Sequence, residues 1–167
     1  MQPADESTFM ASFRSYATRL MKAGGTPSQY RVLVVDDEES VRRYVVHVLT
    51  AAGYQTSAAS NATEAIELFK NSSFDALVTD VMMPGMTGDE LARQLRQSER
   101  GLKVLYLTGY SDRLFREKVA LWADEAFLEK PFTSNGLREA LSLLVFGRLE
   151  ISASETDAEP APPASKP

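Results

Sequence analysis

The stretch from Asp75 to Gly88 restricts the fold of this chain more than any other. A short apolar run around Leu77 and Val78 stops at Asp80 and meets a turn built on Pro84 and Gly85. Strands buried on both faces of a parallel sheet end in this way. Asp80 therefore belongs at a strand's carboxyl end. Arg31–Val35 is a second such run and also ends in acid, at Asp36 and Asp37, with Glu38 and Glu39 behind them. Parallel strands end on the same side of their sheet, so these acids point into one crevice.

The pattern between and beyond these runs alternates strand and helix with short connections, as βαβ units do. Val41, Val45, Val48 and Leu49 mark a helical face that stops at Gly53, and Tyr54–Ala58 is a more polar strand suited to a sheet edge. Asn61 and Glu64 form a helix-capping pair ahead of Ala65, Leu68 and Phe69. After the strand Asp75–Asp80, a third helix spans about Gly88–Gln97 with Leu91, Ala92 and Leu95 inward. Lys103–Thr108 is the fourth strand, about Asp112–Trp122 a fourth helix, and Ala126–Glu129 a fifth strand that ends at Lys130 because Pro131 cannot extend a ladder. Thr133 or Ser134 opens a fifth helix with Leu137, Leu141, Leu144 and Val145 inward. The fold class expected is α/β: a doubly wound, flavodoxin-like parallel sheet in the order 2-1-3-4-5, flanked by five helices. Its direction reverses between strands one and three, and ligands bind at such a switch point.

Residues 1–29 read as an N-terminal extension, an amphipathic helix with the stripe Phe9, Phe13, Tyr16 and Leu20 followed by a Gly/Pro linker. It suits either a helix laid on its own domain or a dimerisation or partner helix. Residues 30–147 form the domain, and 148–167 a disordered Pro/Ala-rich tail. The net charge of −5 and the absence of a dense Lys/Arg block argue against a nucleic-acid surface. No cysteine is present, which removes disulfides, thiolate metal sites and thiol catalysis. No apolar run approaches the roughly 18 residues of a membrane span, and we expect a cytoplasmic protein.

Charge dictates the chemistry of the crevice. Asp36, Asp37 and Asp80 together oppose one another's ionisation, so a cation belongs among them. Oxygen donors without His or Cys favour a hard ion: Mg²⁺, with Mn²⁺ close behind. Such an ion and Lys130 balance the three carboxylates. Conversion of Asp80 to an acyl phosphate removes one negative charge and adds about two. In-line attack on a phosphoryl group needs little more than a positioned carboxylate and stabilised oxygens. Asp80 is the nucleophile on this reading.

Val34–Glu39, Asp80–Gly88, Thr108-Gly109-Tyr110 and Phe127–Phe132 together resemble the motif set of two-component response-regulator receiver domains, over nearly all of Tyr30–Phe146. The resemblance implies that Asp80 accepts a phosphoryl group from a histidine kinase's phosphohistidine. Asp37, Asp80 and the Met82 carbonyl would ligate Mg²⁺, with Asp36 acting mainly through water, while Thr108 and Lys130 would hold phosphoryl oxygens. Phe127 would be the switch aromatic, here without a hydroxyl. Arg42, Arg43, Tyr44, Pro131 and Phe132 would dock the partner, a sensor histidine kinase or a histidine phosphotransfer protein. A downstream protein target would read the face of helix four, strand five and helix five. The resemblance also implies a Lys130–Pro131 bond of the kind often cis, and no enzyme activity beyond the domain's own phosphoryl transfer and slow loss. Too few residues are expected after the last helix for an output domain, so a chemotaxis-type regulator, a phosphorelay intermediate and a free counterpart of the receivers fused to hybrid kinases are the forms in view, with a pseudo-receiver acting by contact as the alternative. A hydrolase using an aspartyl phosphate would want a second acid after Asp80, and Asp80-Val81-Met82 lacks it. His47, the single histidine, lies off the apolar face of its helix and reads as a solvated side chain.

Overall fold

A computed structural model describes residues 27–109 and 124–147. The expected N-terminal helix, the helix over about 112–122 and the C-terminal tail lie outside them. After a 3₁₀ turn at Pro27–Gln29, the chain runs β1 (Arg31–Val35), α1 (Glu39–Ala51), β2 (Gln55–Ala59), α2 (Ala62–Asn71), β3 (Ala76–Asp80), α3 (Gly88–Leu95), β4 (Lys103–Thr108), β5 (Glu125–Glu129) and α4 (Ser134–Phe146), the last being the fifth helix of the sequence reading. The five strands form one sheet in the order β2-β1-β3-β4-β5, with every neighbouring pair parallel.

Period-two alternation along each strand builds a core on each face of the sheet. Val32, Val34, Val78, Leu105 and Leu107 face α1 and α4, where Val45, Leu49, Leu137 and Leu141 meet them. Leu33, Val35, Leu77, Val104 and Tyr106 face α2 and α3, against Ala65, Leu91 and Leu95. β1, β3 and β4 are central and almost wholly apolar. β2, at the edge, has only Ala59 buried.

Several boundaries shift: β3 begins one residue late, at Ala76, α3 ends at Leu95, and two further shifts have clear physical reasons. β2 begins at Gln55 because Tyr54 turns into the core, its ring 6.3 Å from that of Phe146. β5 begins at Glu125, a buried carboxylate that the sequence reading left outside the strand. The Asn61 carbonyl side chain accepts the Glu64 N–H at 2.9 Å as expected, but the Glu64 carboxylate returns to the N–H and hydroxyl of Ser60.

Glu125 is buried because Arg96, the residue closing α3, comes to it. The Arg96 guanidinium pairs with the Glu125 carboxylate and donates to the carbonyls of Leu102, at 2.9 and 3.1 Å, and Asp124, at 3.1 Å. The Tyr106 hydroxyl donates to the same carboxylate at 3.1 Å. Burial first, and then the Glu125 charge, push the Tyr106 phenol far above its usual pKa. Removing one member of a buried pair leaves a charge uncompensated. Arg96→Met is therefore expected to cost about 3–5 kcal/mol of stability in urea unfolding; a loss below about 1 kcal/mol, the scale of an exposed pair, contradicts this account of the buried corner.

Candidate functional site

Each acid arrives where its strand stops. Register pairs Val35 with Thr79 and Asp80 with Leu107, so Asp36, Asp80 and Thr108 end side by side on β1, β3 and β4. Lys130 follows β5, its backbone N–H donating to the Thr108 carbonyl at 2.7 Å. From there Lys130 Nζ donates to Asp36 Oδ2 and Asp80 Oδ1, each at 3.0 Å. The other Asp36 oxygen accepts the Glu38 N–H at 2.9 Å. Asp36 is fully buried, Asp80 nearly so, and Asp37 exposed, yet each offers a carboxylate oxygen within 4.8 Å of the others. Among the described residues this is the one group of three or more such ligands. A donor set of carboxylate oxygens with one open, solvent-facing member fits a hard divalent cation that keeps some of its waters.

The loop after Asp80 folds back onto it. Gly85 adopts φ +85°, which favours glycine. The Gly88 N–H donates to the Val81 carbonyl at 2.8 Å, and a Cβ at Gly88 would stand 2.2 Å from the Asp80 carbonyl oxygen. Gly88 closes the Asp80–Gly88 motif, but the sequence gives no sign of its close contact with the Asp80 backbone, because a glycine opening a helix does not show what it packs against. Met82 projects from this loop at 58% exposure. Among the described residues the buried Thr108 hydroxyl has no hydrogen-bond partner, a cost of about 1–3 kcal/mol that an arriving acceptor would relieve. Phe127 is half-buried, its ring 5.3 Å from that of Tyr106.

The residues expected to dock a partner divide into two groups. Tyr44, Pro131 and Phe132 join Val41, Gly109 and Lys130 around an open groove of about 470 Å³ beside the acids. The Tyr44 and Phe132 rings stand 6.1 Å apart, and the Lys130–Pro131 bond is cis. Arg43 points to solvent, paired with Glu39. Arg42 is not among the residues lining the groove and donates to the Asp36 main-chain carbonyl at 2.7 Å. His47 is exposed.

Burial raises the Asp80 pKa above its ordinary value, Lys130 lowers it less, and the charges of Asp36 and Asp37 add to the rise. For Lys130, burial acts to lower the pKa, but hydrogen bonds to Asp80 and Asp36 and their charges more than offset it and hold the ammonium above its usual range. The Lys130 contribution to stability is thus intact at neutral pH and lost only as pH rises through its folded pKa. Asp80 acts in the opposite sense. The folded chain binds its proton more tightly than the unfolded chain, so stability at this site falls as pH rises from the unfolded value of about 3.9. Without divalent cation, Asp80→Asn is expected to raise the thermal midpoint at pH 7, with the gain shrinking as pH falls through the folded Asp80 pKa and gone below about pH 4. A mutant no more stable than wild type at pH 7 contradicts the frustrated-acid description.

The sequence profile of the response regulator receiver domain matches residues 32–142. The chain is 33% identical over 117 residues to the sensor kinase CckA of Brucella abortus, covering 69% of this chain and 12% of CckA. It is also 33% identical over 102 residues to the response regulator receiver protein CpdR of the same organism, covering 61% of this chain and 85% of CpdR. A solved structure of the response regulator TrrA from Thermotoga maritima, in complex with Mg²⁺ and BeF, superposes with a TM-score of 0.61 at 34% identity, over 69% of this chain and 98% of that one. Relatives of very different length thus share this one unit. No helix among the described residues is long and apolar enough to cross a membrane. The sheet order, the acids at its switch point and the profile match agree, and the chain belongs to the response-regulator receiver family.

Proposed function

We propose that Asp80 accepts a phosphoryl group from a phosphohistidine, supplied by a sensor histidine kinase or a histidine phosphotransfer protein. The observation that carries this reading is Lys130 Nζ, held 3.0 Å from both Asp80 and Asp36 at the reversal point of the sheet. An ammonium so placed can turn from carboxylate to phosphoryl oxygen as charge builds there. Asp80 Oδ attacks phosphorus as the donor N–P bond breaks, and the imidazole keeps the electron pair and takes up a proton. The buried Thr108 hydroxyl gains the acceptor it lacks, and Lys130 pairs with a second oxygen. Asp37, Asp80 and the Met82 carbonyl would hold Mg²⁺ or Mn²⁺ directly, and Asp36 through water. When bound, the ion would neutralise charge on the phosphoryl oxygens.

Movement of Thr108 towards the phosphoryl group would vacate the space that Phe127 enters, as the switch aromatic. The face that includes β5 and α4 would then present a changed surface to a downstream protein. Tyr44, Pro131 and Phe132 suit docking of the phosphohistidine donor, because their groove opens beside Lys130. On this reading the domain spans about residues 30–147 and works in the cytoplasm, where ATP charges the kinase. A phosphorelay intermediate differs only in passing the group on to another histidine.

Acetyl phosphate is expected to add one phosphoryl group, seen by intact mass, in the presence of Mg²⁺ and not of EDTA, and to change the fluorescence of the single tryptophan, Trp122. Asp80→Asn should gain nothing. Lys130→Ala should label about 100-fold more slowly and lose the fluorescence change. Wild-type labelling of Asp80→Asn would overturn the assignment, and failure of the wild-type chain to bind Mg²⁺ would favour a pseudo-receiver.

A further inference from the structure

Arg42 occupies the fourth position of α1, where a helical side chain leans back towards the N-terminus. It is half-buried, and its Nη1 donates to the main-chain carbonyl of Asp36 at 2.7 Å. That carbonyl lies past the β1 ladder, whose register ends at Val35. The Asp36 carbonyl and the Asp37 N–H share one rigid peptide plane. Fixing the carbonyl therefore fixes the direction in which the chain leaves for Asp37. The Asp36 carboxylate has its own anchors, Glu38 N–H on one oxygen and Lys130 on the other. Asp37 is exposed, and no hydrogen bond or ion pair holds its carboxylate among the described residues. The direction of Asp37 thus depends on its backbone.

We propose that Arg42 is a positioning residue of the acid site: by holding the Asp36–Asp37 peptide plane, it aims the Asp37 carboxylate at the divalent cation and so sets cation affinity. The inference rests on reading Asp36, Asp37 and Asp80 as the cation site. Three roles for Arg42 give three different signs. A side chain used only for docking leaves Mg²⁺ binding unchanged. A side chain felt only through its charge competes with the cation, so its removal tightens binding. A positioning side chain weakens binding when it is removed.

Calorimetric titration of the full chain with Mg²⁺ separates these. Arg42→Met is expected to weaken Mg²⁺ by about 10-fold, the scale of a lost outer-shell partner. Lys70→Met, which removes an exposed charge of α2, should bind as wild type does. Arg42→Lys keeps the charge and one donor but not the planar fork, and should fall between wild type and Arg42→Met, weakened several-fold. Should Arg42→Met fail to fold, Arg42→Lys decides alone. Several-fold weaker binding supports the proposal, and wild-type affinity overturns it. Unchanged or tighter binding by a folded Arg42→Met also overturns it while leaving the cation site intact. A wild-type chain that takes no Mg²⁺ overturns the cation site and the Arg42 proposal together.

Discussion

The Lys130 ammonium is the interaction on which the site depends. The order of the sheet leaves two strands ending in acid as neighbours, with a further acid just beyond, and the fold cannot separate them without changing the strand order. Lys130 reaches past the end of β4 to touch the carboxylates of β1 and β3 at once. The relief is partial. Asp80 is still pushed up by burial and by its acidic neighbours, so the resting domain keeps an electrostatic conflict at its functional end. That conflict gives a cation something to resolve, and a bound cation would in turn offset the charge that a phosphoryl group adds.

The rest of the structure holds those few atoms in place. Two apolar layers lock the register of β1, β3 and β4, and the register brings Asp36, Asp80 and Thr108 level. Gly88 lets the loop after β3 return close enough to hydrogen-bond beside Asp80. On the α3 side, Arg96, Glu125 and Tyr106 form a buried polar corner that fixes the start of β5 and places the Tyr106 ring against Phe127. Phe127 carries no hydroxyl of its own. The hydroxyl beside it belongs to Tyr106 and is already bound to Glu125.

The apolar framework was legible in the sequence because buried parallel strands read as unbroken apolar runs, and a run that stops at a charge marks its own end. Asp36, Asp80, Thr108 and Lys130 stand where that logic puts them, and Leu91, Leu137 and Leu141 are buried as their spacing implies. What could not be read was the destination of long polar side chains. Arg42 resembles a docking residue in sequence, yet its guanidinium bonds backward to a backbone carbonyl six residues away, a direction that no local pattern encodes. Glu125 looked like loop because a carboxylate entering a strand is normally exposed, and its partner Arg96 lies far off in the chain. Gly88 is required by the Asp80 backbone, a contact that exists only after the loop closes.

The most direct test of the central claim is to locate the phosphoryl group. After reaction with acetyl phosphate and Mg²⁺, borohydride reduces an acyl phosphate to an alcohol, which marks the modified carboxylate for peptide mapping. The account predicts that Asp80 is converted to homoserine and that Asp36, Asp37 and His47 are untouched. Reduction at another carboxylate, or a phosphoryl group on His47 that borohydride leaves in place, would contradict it.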